Sequence, residues 1–184
     1  MTSTETAPAA TEVRGVPARL HHNAWVVKDQ RATNRFYEDL IGLPLVACST
    51  EAAVLSGAAH VYCHTVYGLG DGSGLAFFQF DREGDYELYG LMFRATPFVH
   101  IALKVDADTQ QGIKQRLDKA GWDHYVVDHG HCESLYATDP DGLILEFTFD
   151  HPDAAEVQAE RRRTAAAELD RWLAGDHCPG NTDR

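Results

Sequence analysis

The same order of secondary-structure signals occurs twice in this sequence, and this repeat limits the possible folds more than any other feature. Each half has the pattern of one strand, one helix and three further strands. Both halves also open with a histidine in the same spacing of small and apolar residues: His22-x-Ala24-Trp25-x-Val27 and His100-x-Ala102-Leu103-x-Val105. We therefore infer an internal duplication.

The repeat predicts an α+β fold built from two βαβββ modules. The first half predicts strands at 20–27, 44–49, 59–66 and 75–80 with a helix at 31–40, and the second predicts strands at 98–105, 122–127, 133–138 and 143–149 with a helix at 109–120. One domain at 19–150 would then contain a first module at 19–80, a connecting loop or lid at 81–97, and a second module at 98–150. We expect a disordered tail at 1–18 and a helical extension at 151–184.

Composition excludes several classes of partner. Sixteen Lys and Arg against 28 Asp and Glu give a net charge of −12, which repels phosphate backbones and argues against nucleic acid as a partner. No apolar run is long enough to cross a bilayer, and residues 1–18 lack the apolar segment of a signal peptide, so we expect a cytoplasmic protein without membrane contact. The four cysteines form no Cys-x-x-Cys pair, which argues against a zinc ribbon or a disulfide framework.

Three polar residues stand out against this apolar strand pattern. Side chains alternate between the two faces of a strand, so His100 and Glu146 lie opposite the apolar residues that alternate with them. A carboxylate in such a strand must be solvated or paired. Each residue taken alone is more often an ordinary surface residue than a ligand. The duplication, however, places His22 and His100 at equivalent positions, which makes His22, His100 and Glu146 candidate metal ligands.

Two motifs and the order of these candidates carry a family resemblance. The motifs are Phe36-Tyr37-x-Asp39-Leu40-Ile41-Gly42 and Asp139-Pro140-Asp141-Gly142-Leu143-Ile144-Leu145-Glu146. With the order His22, His100, Glu146, they resemble the vicinal-oxygen-chelate superfamily of glyoxalases, bleomycin-resistance proteins, epimerases, fosfomycin-resistance transferases and type I extradiol dioxygenases. The resemblance covers about 19–150. It implies that the modules pair into an open, incomplete barrel around one divalent metal ion held by these three residues.

The number of ligands favours one branch of that family. Glyoxalases and related epimerases carry a fourth ligand, a Glu on the fourth strand, where this chain has no carboxylate. Strand parity aligns that position with Ala76 or Phe78, while Gln79 is a neutral substitute to consider. Two histidines and one carboxylate suit Fe(II) with open coordination positions, and Mn(II) is possible. This set resembles a single-domain type I extradiol dioxygenase.

A longer motif supports the same branch. Val127-Asp128-His129, Leu135-Tyr136, the Asp-Pro-Asp-Gly turn and the final Glu146 resemble the extradiol dioxygenase signature. The resemblance implies that His129 and Tyr136 lie beside the bound diol and oxygen, and that His64 is an acid/base histidine. Alternatives stay open: His129 and Tyr136 are ordinary loop and strand residues, His131 replaces His129, or His60 replaces His64.

These observations predict an Fe(II)-dependent extradiol-type dioxygenase that cleaves a catechol-like aromatic diol with O₂, in aromatic compound catabolism. We expect a homodimer or higher homo-oligomer. The alternatives are a metal-dependent glyoxalase-like lyase or thiol transferase of the same fold, and a drug-sequestering resistance protein. Aromatic residues expected to line the pocket are Trp25, Phe78, Tyr86, Tyr89 and Phe93.

Overall fold

The structure, a computed structural model, describes residues 19–55, 57–82, 84–90 and 98–175. The first module contains β1 (His22–Val26), α1 (Gln30–Asn34) with a π-helical continuation (Arg35–Ile41), β2 (Leu45–Leu55), β3 (Ala58–Gly68) and β4 (Gly74–Phe80). A short helix, α2 (Asp85–Tyr89), follows. The second module contains β5 (His100–Lys104), α3 (Ala107–Ala120), β6 (His124–Asp128), β7 (Cys132–Thr138) and β8 (Ile144–Asp150), and α4 (Ala154–Leu173) comes after it.

The two modules form separate four-stranded sheets with matching strand orders. These orders are β1-β4-β3-β2 and β5-β8-β7-β6. In each sheet the first strand pairs in parallel with the last, and the remaining pairs are antiparallel. The predicted α+β fold of two βαβββ modules with a C-terminal helix is therefore confirmed, and both sheets are open, so β1 and β5 are edge strands.

The helix ends repeat as well. The carboxylate of Asp29 caps α1 by accepting from the backbone N–H of Arg31 at 2.8 Å, and Asp106 caps α3 by accepting from that of Thr109 at 2.7 Å. The first helical segment ends at Gly42 with φ of 90°, and α3 ends at Gly121 with φ of 64°. Because positive φ favours glycine, these two residues mark the helix ends predicted from the sequence.

Two segments differ from the prediction. The second strand was expected at 44–49 but extends to Leu55, because residues 51–55 pair along their whole length with β3. The Ala and Leu residues there favour helix, so pairing overrides their local preference. Within the expected loop at 81–97 lies α2, while residues 91–97 are outside the described part. The expected tail at 1–18 and residues 176–184 are also outside it.

One hydrophobic core joins the modules through the helix-covered faces of both sheets. It includes Tyr37 and Phe77 from the first module and Leu117 and Phe147 from the second. Tyr37 Oη donates to Asp139 Oδ2 at 3.0 Å. Burial raises the pKa of Tyr37, and the Asp139 carboxylate raises it further. The opposite faces of the sheets, which we call the inner faces, take no part in this core.

A polar contact reinforces the same junction. Arg116 on α3 donates from Nε to the carbonyl oxygen of Leu40 at 2.5 Å and from Nη2 to that of Ile41 at 2.7 Å. It thereby satisfies carbonyls at the end of the first module's helix. Among the described residues, no helix is both long and apolar enough to span a bilayer.

Candidate metal centre

The inner face of the second sheet brings two of the predicted ligands together. Ala102 on β5 is the register partner of Glu146 on β8, which places His100 and Glu146 on neighbouring strands. His100 Nε2 lies 2.8 Å from Glu146 Oε2. A nitrogen and an oxygen that converge in this way are the donor types that bind first-row divalent metals.

Glu146 is buried, although it is a carboxylate. Its side chain is held by Ser134 on β7, whose hydroxyl donates to Oε1 at 2.6 Å and which is itself completely buried. Ser134 Oγ is also 3.1 Å from Thr148 Oγ1. One carboxylate oxygen is thus fixed by the hydroxyl, and the other faces His100. The sequence prediction missed Ser134, because its role depends on the pairing of β7 with β8.

Tyr136 and His129 lie next to this pair. Tyr136 is the direct register partner of Glu146, and its hydroxyl is 3.1 Å from His129 Nε2. The Tyr136 ring stacks on Tyr125 with a centroid distance of 4.9 Å. Burial raises the pKa of Tyr136 to about 12, with further contributions from the charge of Glu146 and a hydrogen bond to it. Tyr136 is therefore a phenol at neutral pH and can act as a hydrogen-bond donor.

The inner face of the first sheet carries the other predicted residues. His22 and His64 line a cavity of about 290 Å³ that also includes Ala76. His64 stacks on Phe78 at a centroid distance of 4.3 Å, and its Nδ1 is 3.1 Å from Glu51 Oε1. Hydrogen bonds from Ser49 and then His64 lower the pKa of Glu51. An ionised Glu51 requires His64 to donate from Nδ1, which directs Nε2 away from it.

The register shows what stands at the expected position of a fourth ligand. Ala76 pairs with Ala24 as Glu146 pairs with Ala102, so Ala76 is the structural equivalent of Glu146. Gln79 is directed elsewhere, since its Oε1 accepts from the backbone N–H of Gln30 at 2.7 Å. The first module therefore places no carboxylate at the position equivalent to Glu146.

His22 does not join the other two ligand candidates within one chain. Its Nδ1 lies 2.8 Å from Nδ1 of His21. Among the side chains that the structure describes, no group of three or more His, Cys, Asp or Glu is placed to hold one metal ion. The candidate ligands therefore lie in two places, His22 on the first inner face and His100 with Glu146 on the second.

The alternative histidines have other partners. His60 is buried with its Nδ1 2.7 Å from Asp85 Oδ2 of α2, and it contacts the Tyr89 ring. His131 has Nδ1 3.0 Å from the carbonyl oxygen of His129 and Nε2 3.0 Å from Arg161. Both therefore connect structural elements to one another.

The aromatic residues expected to line one pocket lie in different parts of the structure. Trp25 stacks on Phe77 with ring centroids 5.9 Å apart, so it belongs to the core face and not to the pocket. Phe78 lies on the inner face beside His64, and Tyr89 packs on Phe80. Tyr86 lies under the ammonium group of Lys28, 4.7 Å from the ring centroid. Phe93 lies outside the described residues.

Comparison with known proteins identifies a family whose sequence model matches this chain. The sequence model of the glyoxalase/bleomycin resistance protein/dioxygenase superfamily matches residues 19–147. No curated protein matches the sequence significantly.

Several solved structures share the fold. A glyoxylase/bleomycin resistance protein/dioxygenase domain from Frankia sp. EAN1pec is 17% identical, covers 75% of this chain and 95% of its own, and has a TM-score of 0.57. The fosfomycin resistance protein FosX from Listeria monocytogenes, complexed with Mn(II) and sulfate, is 16% identical over 76% of this chain and 98% of its own, with a TM-score of 0.53. FosX from Mesorhizobium loti is 21% identical over 72% and 91%, with a TM-score of 0.51. At these identities the likeness concerns the fold.

Proposed function

The chain belongs to the glyoxalase/bleomycin resistance protein/dioxygenase superfamily, and from this membership we propose that it is an Fe(II)-dependent extradiol-type dioxygenase that opens a catechol-like aromatic diol with O₂. The observation that carries the proposal is the convergence of His100 Nε2 and the buried Glu146 Oε2 beside Tyr136 and His129. This pair, which we propose as metal ligands, lies next to groups that can donate and accept protons.

The donor set fits the proposed metal. His100 and Glu146 would hold it, and His22 would supply the third donor. Two imidazoles and one carboxylate suit Fe(II) and leave positions open, and Ala76 adds no fourth donor. Mn(II) is the alternative ion. When bound, the metal would polarise the diol and provide a site for O₂.

We propose that His22 comes from a second copy of the chain. The shared core occupies the helix-covered faces, which leaves His22 and Ala24 on β1 and His100 and Ala102 on β5 exposed. Both strands are sheet edges. A homodimer in which the first inner face of one copy meets the second inner face of the other would complete the site and cover both edges.

The protein's own groups would manage the protons. His64, oriented by Glu51 through Nδ1, would take a proton from the diol at Nε2. Tyr136 would donate its hydroxyl hydrogen bond to an oxygen of the substrate, and His129 would hold Tyr136 in place. Both atoms of O₂ enter the product as one ring C–C bond breaks, and the diol supplies all the electrons, so no further reductant is required.

The protein is first loaded with Fe(II) in the absence of air. Oxygen is then added, and its consumption is measured. With a panel of catechols, we expect one O₂ consumed for each yellow ring-opened product. Activity with Mn(II) in the absence of O₂ would favour the lyase or transferase alternative. Drug binding that is unaffected by His100→Ala would favour the sequestering alternative, and no oxygen uptake across the panel would refute the dioxygenase.

The proposed sharing of the site between copies has a separate test. His22→Ala and His100→Ala should each be inactive. Mixed after mild dissociation and reassociation, they form heterodimers with one intact site, and about a quarter of wild-type activity should return, since half the dimers are mixed and each has one working site of two. Mixing that restores no activity would place His22 and His100 of one chain in the same site.

A further inference from the structure

The turn between β6 and β7 carries His129. Residues just before α4 and on α4 itself contact this turn. His151, just before α4, donates its backbone N–H to the carbonyl oxygen of His131 at 2.9 Å. Its ring Nδ1 lies 3.0 Å from the carbonyl oxygen of Gly130, which can only accept, so Nδ1 of His151 carries a proton. The turn itself requires glycine at 130, where φ is 80°.

Arg161 on α4 contacts the side chain of His131, which lies in this turn. A guanidinium can only donate, so Nε2 of His131, 3.0 Å from Arg161 Nη1, must accept. The proton of the neutral ring then resides on Nδ1, which donates to the carbonyl oxygen of His129 at 3.0 Å. The carbonyl oxygen of His129 requires this same proton on Nδ1, so Arg161 and the backbone of His129 hold the two nitrogens of the His131 ring in one tautomer.

The first turns of α4 lie beside the turn that carries His129. A cavity of about 570 Å³ separates its first turns from the His129–His131 turn. Among the described residues of α4, Ala154 is the one that is buried. The polar contacts of His151 and Arg161 connect the helical segment to this turn.

We propose that α4 positions His129 for its contact with Tyr136, and that Arg161 is the positioning residue through which the helix acts by way of His131. The functional part of this inference rests on the proposed role of His129 beside the metal. Arg161 touches neither the proposed ligands nor Tyr136, so its effect is confined to geometry. His151 and α4 would thus support a site that lies on the preceding sheet.

The test compares Arg161→Gln with Arg162→Gln, its exposed neighbour on the same helix, in the full-length protein. Nitrogen-15 NMR of the imidazoles should show His131 protonated at Nδ1 in the wild type and in Arg162→Gln. In Arg161→Gln the shorter, uncharged side chain should lose the hydrogen bond to Nε2, so the His131 Nε2 signal and the His129 signals should shift. Arg161→Lys, which keeps a charged donor on a longer side chain than glutamine has, should restore part of the wild-type pattern.

Kinetics provide the second readout. With the metal content unchanged, Arg161→Gln should lower kcat about tenfold and leave KM nearly as it was, because misplacement of a reacting group affects the chemical step. Unchanged His129 and His131 signals in Arg161→Gln would overturn the proposal, as would a fall in kcat without a shift of the His129 signals. The NMR result is independent of dioxygenase activity, so the failure of the proposed reaction and the failure of this inference can be told apart.

Discussion

The inner faces of the two modules have the same strand register and different chemistry. Both begin with a histidine on the edge strand, His22 or His100. At each later pair of equivalent positions the second module is polar, whereas the first is apolar or aromatic in three pairs of four: Glu146 and Ala76, Tyr136 and Val66, Thr148 and Phe78, Ser134 and His64. The second face thus carries the proposed metal ligands, and the first carries the apolar surface on which a flat ligand would lie.

The largest effect should follow from removing the ligands of the second face. Glu146→Ala deletes the buried carboxylate that faces His100, and we expect metal affinity to fall by more than about 100-fold. Metal analysis after dialysis against a weak chelator measures this. The matched control is His64→Ala on the other face, which should keep its metal while losing turnover. Full metal occupancy in Glu146→Ala would contradict the division of roles between the faces.

The difference between the two inner faces can also be reduced by placing a carboxylate on the first face. Ala76→Glu adds a donor at the position equivalent to Glu146 and should occupy a coordination position that the proposed reaction needs. We expect metal binding to persist while O₂-dependent turnover falls about 100-fold. Ala76→Gln has nearly the same size and a weaker donor, so it should retain more activity. Equal losses in the two variants would indicate that bulk, and not ligation, is responsible.

A smaller effect should come from the hydroxyl that orients Glu146. Ser134→Ala removes the donor to Oε1, and loss of such an outer contact typically weakens metal binding about tenfold. Thr148→Val is the control, because Thr148 reaches this network through Ser134. Calorimetric titration with Mn(II) under anaerobic conditions gives both affinities. If both variants bind as the wild type does, Ser134 has no influence on the metal.

The sequence predicts the parts of the structure that depend on local rules. Alternation along a strand places His100 and Glu146 on one face, and the caps at Asp29 and Asp106 follow from nearby residues. The contacts of Ser134 with Glu146, and of Glu51 with His64, depend on which strands pair and in which register, and no local pattern fixes these. The extension of β2 likewise arises from pairing.

The smallest expected effect concerns Tyr67, which occupies the core position where the second module has Ala137. Tyr67 is completely buried, and its hydroxyl donates to Asn34 Oδ1 at 3.0 Å. Tyr67→Phe should lower the free energy of unfolding by about 1 kcal/mol at pH 7 through loss of this hydrogen bond. Tyr125→Phe, at a half-exposed site, should change it less. Guanidinium unfolding of both variants measures the difference.

The pH dependence of that difference is the sharper test. Burial, with a contribution from Glu38, raises the pKa of Tyr67 to about 12, above its value of about 10 in an unfolded chain. The folded state therefore binds more protons than the unfolded state between these pH values, so the stabilisation from the phenol is complete below about pH 10 and is lost as the pH rises towards 12. The stability gap between wild type and Tyr67→Phe should consequently narrow from pH 9 to pH 11. A constant gap would mean that Tyr67 ionises equally easily in both states, and that its module's core is more open to water than its complete burial indicates.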